Sequence, residues 1–161
     1  MQRRPARGAK RILVVDDEPT IRAVVAEALS EAGYAVDTAP DGAQALRLIH
    51  DRRPHALILD LMMPMLDGAG LRELMRLNAD HDEIPIIVLS AAYGAEEGAA
   101  QLGASACITK PFDLQELLEA VYKVVGEPLA IRSATPDGKY ESPPRGVGAQ
   151  ILSEGPRGEA L

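Results

Sequence analysis

Residues 12–18 read ILVVDDE, four aliphatic side chains followed at once by Asp16, Asp17 and Glu18. A short run of this kind, rich in β-branched residues, is typical of a strand that is buried on both faces. Pro19 comes next, and proline suits the first turn of a helix, where its missing N–H would have no partner. This stretch therefore predicts a buried strand, an acidic turn and then a helix.

The same alternation of strand and helix continues to Gly126. Four more strands are predicted, at residues 34–38, 56–59, 84–89 and 106–109. Five helices are expected to begin near Pro19, Gly42, Gly68, Ala95 and Leu114, the last of them capped by Asp113. Strands separated by helices of about ten residues must run parallel, with right-handed crossovers. The predicted fold is a doubly wound α/β domain, in which helices cover both faces of a five-stranded parallel sheet.

Composition fits one such domain with flanking segments. The chain has 161 residues, of which 47% are hydrophobic and 25% charged, as in an ordinary globular protein. Hydrophobic periodicity is confined to residues 11–126, which we assign to the domain. Residues 1–10 are predicted to form a disordered basic arm. Residues 127–161 are rich in proline and glycine, and we predict a disordered tail there.

Charge is distributed unevenly along the chain. The first eleven residues carry +5, residues 12–126 carry −11 and the remainder carries −1. Because a surface at −11 repels phosphates, direct DNA binding is not expected. The single Cys107 excludes an intrachain disulfide, and no apolar run is long enough for a membrane span or a signal peptide. These features predict a cytoplasmic protein with no membrane partner.

Polar side chains follow four of the predicted strands. Asp16 and Asp17 follow the first strand, Asp60 the third, Ser90 the fourth and Lys110 the fifth. The carboxyl ends of parallel strands meet at one edge of a sheet, which is where doubly wound domains place their sites. We therefore expect three carboxylates, a hydroxyl and an ammonium to lie together.

This set of groups points to phosphoryl chemistry. Three close carboxylates need a cation, and oxygen ligands without His or Cys favour Mg²⁺ over Zn²⁺. A carboxylate beside such an ion can attack a phosphoryl group and form an acyl phosphate. Lys110 and Ser90 are suited to counter the charge on the phosphoryl oxygens.

Four motifs resemble the receiver domains of two-component response regulators: ILVVDDE at 12–18, LDLMMPMLDG at 59–68, LSA at 89–91 and TKPF at 109–112. The resemblance covers residues 10–126. It implies a flavodoxin-like sheet in the order 2-1-3-4-5, which chemotaxis regulators of this family share. It also implies that Asp60 takes a phosphoryl group from a histidine kinase, a phosphotransfer protein or a small donor such as acetyl phosphate.

The resemblance further implies the ligands of the metal ion. Mg²⁺ would be held by Asp17, Asp60 and the backbone carbonyl of Met62, with Asp16 assisting through water. Lys110 and Ser90 would engage the phosphoryl group, and Ser90 would shift towards it on activation.

Positions around Lys110 both follow the family and depart from it. Pro111 usually follows a cis peptide bond in this family. Three residues before the Lys, where the family has Tyr or Phe, this chain has Cys107, which has no ring to swing inward. We interpret Cys107 as a small packing residue. Residues 104–106 also lack the acidic residue through which DNA-binding members pair.

The leading hypothesis is a stand-alone receiver that signals by binding another, unknown protein when phosphorylated. Two alternatives remain: the receiver part of a larger transcriptional regulator, and a receiver-like protein that acts without phosphate. A phosphohydrolase is disfavoured, because Met62 occupies the place of the usual general acid. Met62 and Ala92 also offer no group that orients water. We therefore expect no enzyme activity beyond self-phosphorylation and slow self-dephosphorylation.

Overall fold

The computed structural model describes residues 7–63, 68–91 and 94–128. Within these ranges the chain forms one five-stranded parallel sheet, in the order β2-β1-β3-β4-β5. The strands are β1 (Arg11–Val15), β2 (Ala35–Ala39), β3 (Ala56–Leu59), β4 (Ile86–Ser90) and β5 (Ala106–Thr109). The strand order that the resemblance implies is confirmed.

Six helices are present in the described ranges, five of them between strands and one after β5. They are α1 (Pro19–Glu31), α2 (Gly42–Asp51), α3 (Gly68–Arg76), α4 (Ala79–Asp82), α5 (Ala95–Leu102) and α6 (Leu114–Val125). The five predicted helices are all present, and Asp113 caps α6 by accepting a hydrogen bond from the Gln115 amide at 2.7 Å. None of these helices is long and apolar enough to cross a membrane.

The single helix turn α4 was missed by the sequence pattern. It spans four residues, too few to show a helical period, and it begins where the Asn78 side chain accepts a hydrogen bond from the Asp80 amide at 3.0 Å. The sequence also predicts strands at 34–38 and 84–89, but β2 and β4 each begin later. The amides of Tyr34 and Ile84 instead bond back to the preceding helices, which they help to end.

Two hydrophobic layers lie on opposite faces of the sheet, because alternate residues of a strand point to opposite sides. One layer packs β1, β3 and β4 against α2, α3 and α5 through Leu13, Val15, Leu57, Leu59, Val88, Ile49, Leu71, Met75 and Leu102. The other packs the sheet against α1 and α6 through Ile12, Val14, Ile58, Ile87, Leu89, Ile108, Val25, Leu29, Leu117 and Val121. Each large side chain buried there stabilises the fold by about 1.5–3 kcal/mol relative to exposure. The predicted doubly wound architecture is confirmed.

The two ends of the domain are tied to each other. The carbonyl of Lys10 accepts from the Ala35 amide at 2.9 Å, and its ammonium donates to the carbonyl of Val125. The buried Tyr34 hydroxyl donates to the Gly126 carbonyl at 2.8 Å. Lys10 therefore belongs to the domain and not to the predicted arm at 1–10, because long-range contacts hold it in place. Residues 1–6 of that arm, and residues 129–161 of the predicted tail, lie outside the described residues.

Tyr34→Phe should lower the free energy of unfolding by about 1 kcal/mol, because the Gly126 carbonyl loses its phenolic donor. The melting temperature should then fall by a few degrees, measured by circular dichroism. Tyr122→Phe is the matched control, since Tyr122 is half exposed and its hydroxyl lies 3.4 Å from the Glu127 carboxylate. Equal losses in the two variants would contradict a specific role for Tyr34.

Candidate functional site

Three carboxylates meet at the carboxyl edge of the sheet. Asp16 and Asp17 follow β1, and Asp60 follows β3. The amide of Asp60 donates to the Val15 carbonyl at 3.0 Å and so joins the ends of the two strands. One oxygen from each carboxylate lies within 4.8 Å of the other two. Asp16 and Asp60 are buried, at 2% and 6% exposure, while Asp17 faces solvent. The cluster therefore has a buried floor and an open side.

Lys110 bridges the two buried carboxylates. It follows β5, and its ammonium donates to Oδ2 of Asp16 at 2.8 Å and to Oδ2 of Asp60 at 3.2 Å. The peptide bond to Pro111 is cis, as the family resemblance implies. Because the charge of Lys110 reaches the ends of both β1 and β3, one side chain joins three strands of the sheet.

The pKa of Lys110 is raised by this environment. Burial alone would lower the pKa, but the hydrogen bonds and charges of Asp16 and Asp60 together outweigh it. Lys110 is therefore protonated throughout the neutral range. A raised pKa means that the pairing stabilises the fold fully below the ordinary lysine value of 10.5. That contribution is lost only as the pH rises through the higher, folded-state pKa.

Each buried carboxylate also holds the loop that follows it. Oδ1 of Asp16 accepts from the Glu18 amide at 2.9 Å, and Oδ1 of Asp60 accepts from the Met62 amide at 3.0 Å. Among the described residues, no buried side-chain nitrogen or oxygen lacks a hydrogen-bond partner. The two carboxylates therefore have little rotational freedom, which is the condition for a preorganised site.

Ser90 and Met62 lie at the same edge. Ser90 is the last residue of β4 and is fully buried, and its carbonyl accepts from the Lys110 amide at 3.1 Å. Met62 comes two residues after Asp60, and its side chain is 68% exposed. The roles of the Ser90 hydroxyl and the Met62 carbonyl remain predictions.

The carboxylate cluster fits a hard divalent cation. Its donors are all oxygen, and it is the one group of three possible metal ligands found among the described residues. Three carboxylates against one ammonium leave two negative charges, which a divalent cation balances. Asp16, Asp17 and Asp60 are the residues that would hold it, and the exposed Asp17 leaves an entry path from solvent.

Arg22, on α1, touches this site although the sequence pattern gives it no special place. Its guanidinium donates to the backbone carbonyl of Asp16 at 2.7 Å. An arginine in the first turns of a surface helix is usually solvated. Its acceptor here is a backbone carbonyl, which every residue has, so the sequence does not indicate the contact. Only the structure could identify this contact.

Cys107 is partly buried against the layer that contains α5. The pKa of its thiol is raised, mainly by burial and further by the charge of Glu96. Since the thiolate is the reactive form of cysteine, a raised pKa disfavours redox chemistry at neutral pH. This supports the interpretation of Cys107 as a packing residue.

Comparisons with known proteins agree with this geometry. A family model described as a response regulator receiver domain matches residues 12–122. Response regulator MprA of Mycobacterium sp. (strain KMS) is 42% identical over 135 residues, which are 83% of this chain and 55% of that protein. This chain thus spans about half the length of the curated relatives it matches.

Solved structures show the same likeness. Chemotaxis protein CheY4 of Vibrio cholerae is 31% identical with a TM-score of 0.67, covering 72% of this chain and 98% of that one. The receiver domain of sensor histidine kinase PA1611 from Pseudomonas aeruginosa PAO1 is 31% identical with a TM-score of 0.68, covering 74% and 99%. That structure has a magnesium ion coordinated in its active site cleft.

Mg²⁺ should raise the melting temperature of the wild type, because a ligand that binds only the folded state stabilises it. Asp17→Asn should weaken Mg²⁺ binding by about tenfold or more, since it removes a full charge beside a dication. Thermal melts across a Mg²⁺ series would measure both. Asp51→Asn, at the exposed end of α2, is the control. Equal stabilisation of Asp17→Asn and wild type would contradict the ligand assignment.

Proposed function

Because this chain belongs to the response regulator receiver domain family over residues 12–122, we propose that it signals by accepting a phosphoryl group on Asp60. The observation that carries the proposal is the position of Lys110, whose ammonium lies between two buried carboxylates at the carboxyl edge of the sheet. Ion pairs without a function usually lie exposed at the surface, whereas these three side chains are largely buried. An ammonium beside a nucleophilic carboxylate is what the transfer of a phosphoryl group requires.

In the proposed reaction, a carboxylate oxygen of Asp60 forms a bond to phosphorus. The bond between phosphorus and the donor breaks, and the leaving group departs with the bonding electrons. Bound Mg²⁺ would supply countercharge for the phosphoryl oxygens. Of the two contacts of Lys110, that to Asp60 is the longer at 3.2 Å. We therefore propose that the Lys110 ammonium exchanges its hydrogen bond to Asp60 for one to a phosphoryl oxygen. The hydrogen bond to Asp16, at 2.8 Å, keeps the ammonium in place.

Ser90 is the proposed hydroxyl donor to the phosphoryl group. It stands at the end of β4, between the strands that lead to Asp60 and Lys110. A hydroxyl at this place can bond a phosphoryl oxygen on the side away from Asp17. We propose that signalling then moves the loop after β4, residues 91–94, because Cys107 has no ring to turn inward. Residues 92–93 lie outside the described residues.

The proposed donor is a sensor histidine kinase or a phosphotransfer protein, and small acyl phosphates should substitute for it. We propose no activity on external substrates, since Met62 cannot act as a general acid where a phosphohydrolase needs one. The site would therefore only take up the phosphoryl group and lose it slowly. We propose that the chain acts in the cytoplasm.

We propose that the phosphorylated domain acts on its own by binding another protein. A second candidate is the receiver part of a longer regulator, favoured by the lengths of the relatives, since the chain covers 55% of MprA. The mass of the native protein in its source cell decides between them. A native mass near the 17.2 kDa of this chain supports the first candidate. A mass about one and a half times as large, as expected for a protein of the length of MprA, supports the second.

Acetyl phosphate with Mg²⁺ should add about 80 Da to the protein, the mass of one acyl phosphate on Asp60. EDTA should abolish the addition, and so should Asp60→Asn. Asp51→Asn should be labelled like the wild type. Intact-mass spectrometry measures the addition. Labelling that persists in Asp60→Asn would overturn the proposal, and an unlabelled wild type would favour a receiver that acts without phosphate.

The acyl phosphate should last many minutes, because neither Met62 nor Ala92 can orient a water molecule for in-line attack. Of these two residues the structure describes Met62, which is exposed, while Ala92 lies outside the described residues. Replacing Met62 with Asn and Ala92 with Glu should speed the loss of label, since both new side chains can hold water. The decay of labelled protein after donor removal measures this. Loss within seconds in the wild type, or no acceleration in the double variant, would contradict the explanation.

A further inference from the structure

Asp16 is the most firmly held residue of the site. Its amide donates to the Ala39 carbonyl at 3.2 Å, and its two carboxylate oxygens accept from the Glu18 amide and the Lys110 ammonium. Its remaining polar atom, the backbone carbonyl, accepts from Nη1 of Arg22 at 2.7 Å. Four contacts thus converge on one residue: two from the beginning of α1, one from the end of β2 and one from Lys110 after β5.

The contact from Arg22 acts on the next residue through the peptide plane. The Asp16 carbonyl belongs to the peptide group that joins Asp16 to Asp17, and a peptide group is planar. Holding its oxygen therefore restricts the direction in which the Asp17 side chain leaves the backbone. Asp17 is exposed, so packing does little to orient it. Its direction depends on this backbone.

Arg22 is itself fixed at the beginning of α1. Its backbone amide donates to the Glu18 carbonyl at 3.0 Å, within the first turn of the helix. Its side chain then reaches back across the turn that contains Asp17. Arg22 therefore donates hydrogen bonds to residues on both sides of Asp17: its amide donates to the Glu18 carbonyl and its guanidinium to the Asp16 carbonyl.

We infer that Arg22 is a positioning residue for the divalent cation: it sets the peptide plane that aims the Asp17 carboxylate into the cluster of Asp16, Asp17 and Asp60. The inference rests on the proposed function, because it concerns the cation that this function needs. Arg22 does not touch the cation, and its positive charge by itself opposes cation binding. By positioning Asp17, Arg22 favours cation binding, whereas its positive charge disfavours it.

We expect the orientation of Asp17 by Arg22 to affect Mg²⁺ affinity more than the positive charge of Arg22 does. Mg²⁺ demands nearly ideal octahedral geometry, so a misdirected carboxylate costs much of its value as a ligand. The charge of a partly exposed arginine is screened by water and salt. Removing Arg22 should therefore weaken Mg²⁺ binding, although simple electrostatics predicts tighter binding. The sign of the change distinguishes the two explanations.

The test is Arg22→Met in the full chain, with the dissociation constant for Mg²⁺ measured by isothermal titration calorimetry on unphosphorylated protein. We expect it to rise about tenfold, as for other residues that orient metal ligands. Arg47→Met removes the same charge from an exposed position on α2 and should leave the constant within about twofold. An unchanged or lower constant in Arg22→Met would overturn the inference.

Labelling by acetyl phosphate gives a second readout. In Arg22→Met the half-maximal Mg²⁺ concentration should rise about tenfold, while the rate at saturating Mg²⁺ stays within about twofold of wild type. A lower saturated rate at an unchanged Mg²⁺ requirement would also overturn the inference. If Arg22→Met does not fold, Arg22→Lys serves instead, since a shorter donor should raise the constant about two- to threefold.

The calorimetric result separates this inference from the proposed function. A wild type that binds Mg²⁺ but takes no label on Asp60 would defeat the proposed function, and the effect of Arg22→Met on binding would still decide the inference. A labelled wild type with an unchanged Mg²⁺ constant in Arg22→Met would defeat the inference alone. A wild type that binds no Mg²⁺ would defeat both.

Discussion

The ammonium of Lys110 between Asp16 and Asp60 is the interaction on which the site depends. Two carboxylates buried side by side would repel each other, and removing a charge from water costs several kcal/mol. Lys110 offsets both costs at 2.8 and 3.2 Å. It also leaves the cluster negative enough to attract a divalent cation. The ion pairs of Lys110 thus hold two buried acidic side chains together at the carboxyl edge of the sheet.

The sheet makes this arrangement possible. Its order places β1 and β3 side by side, so that Asp16 and Asp60 are neighbours although 44 positions separate their numbers. Lys110 comes from the edge strand and reaches them past β4, whose last residue is the buried Ser90. Helices on both faces exclude water from beneath the site. Low water content strengthens each electrostatic contact there.

The residues of the carboxylate site and the residues around it have different roles in our proposal. Asp60 and Lys110 are the residues to which we assign the proposed phosphoryl chemistry. Cys107 and Arg22 lie outside the carboxylate cluster: Cys107 packs against the layer that contains α5, and Arg22 holds the Asp16 carbonyl. Cys107 has no ring, so the aromatic switch that the family resemblance implies has no counterpart at this position. Because Arg22 holds a carbonyl, the site depends on the first turn of α1.

The sequence by itself determined the alternation of strands and helices, since hydrophobic period is a local property, and it placed the acidic residues at strand ends. It also led to the family, and through the family to the strand order. Only the tertiary structure decided the contacts that end on backbone carbonyls, from Arg22 to Asp16 and from Lys10 to Val125. Every residue has a carbonyl, so no residue type marks such an acceptor. Which carbonyl lies within reach depends on how distant segments pack.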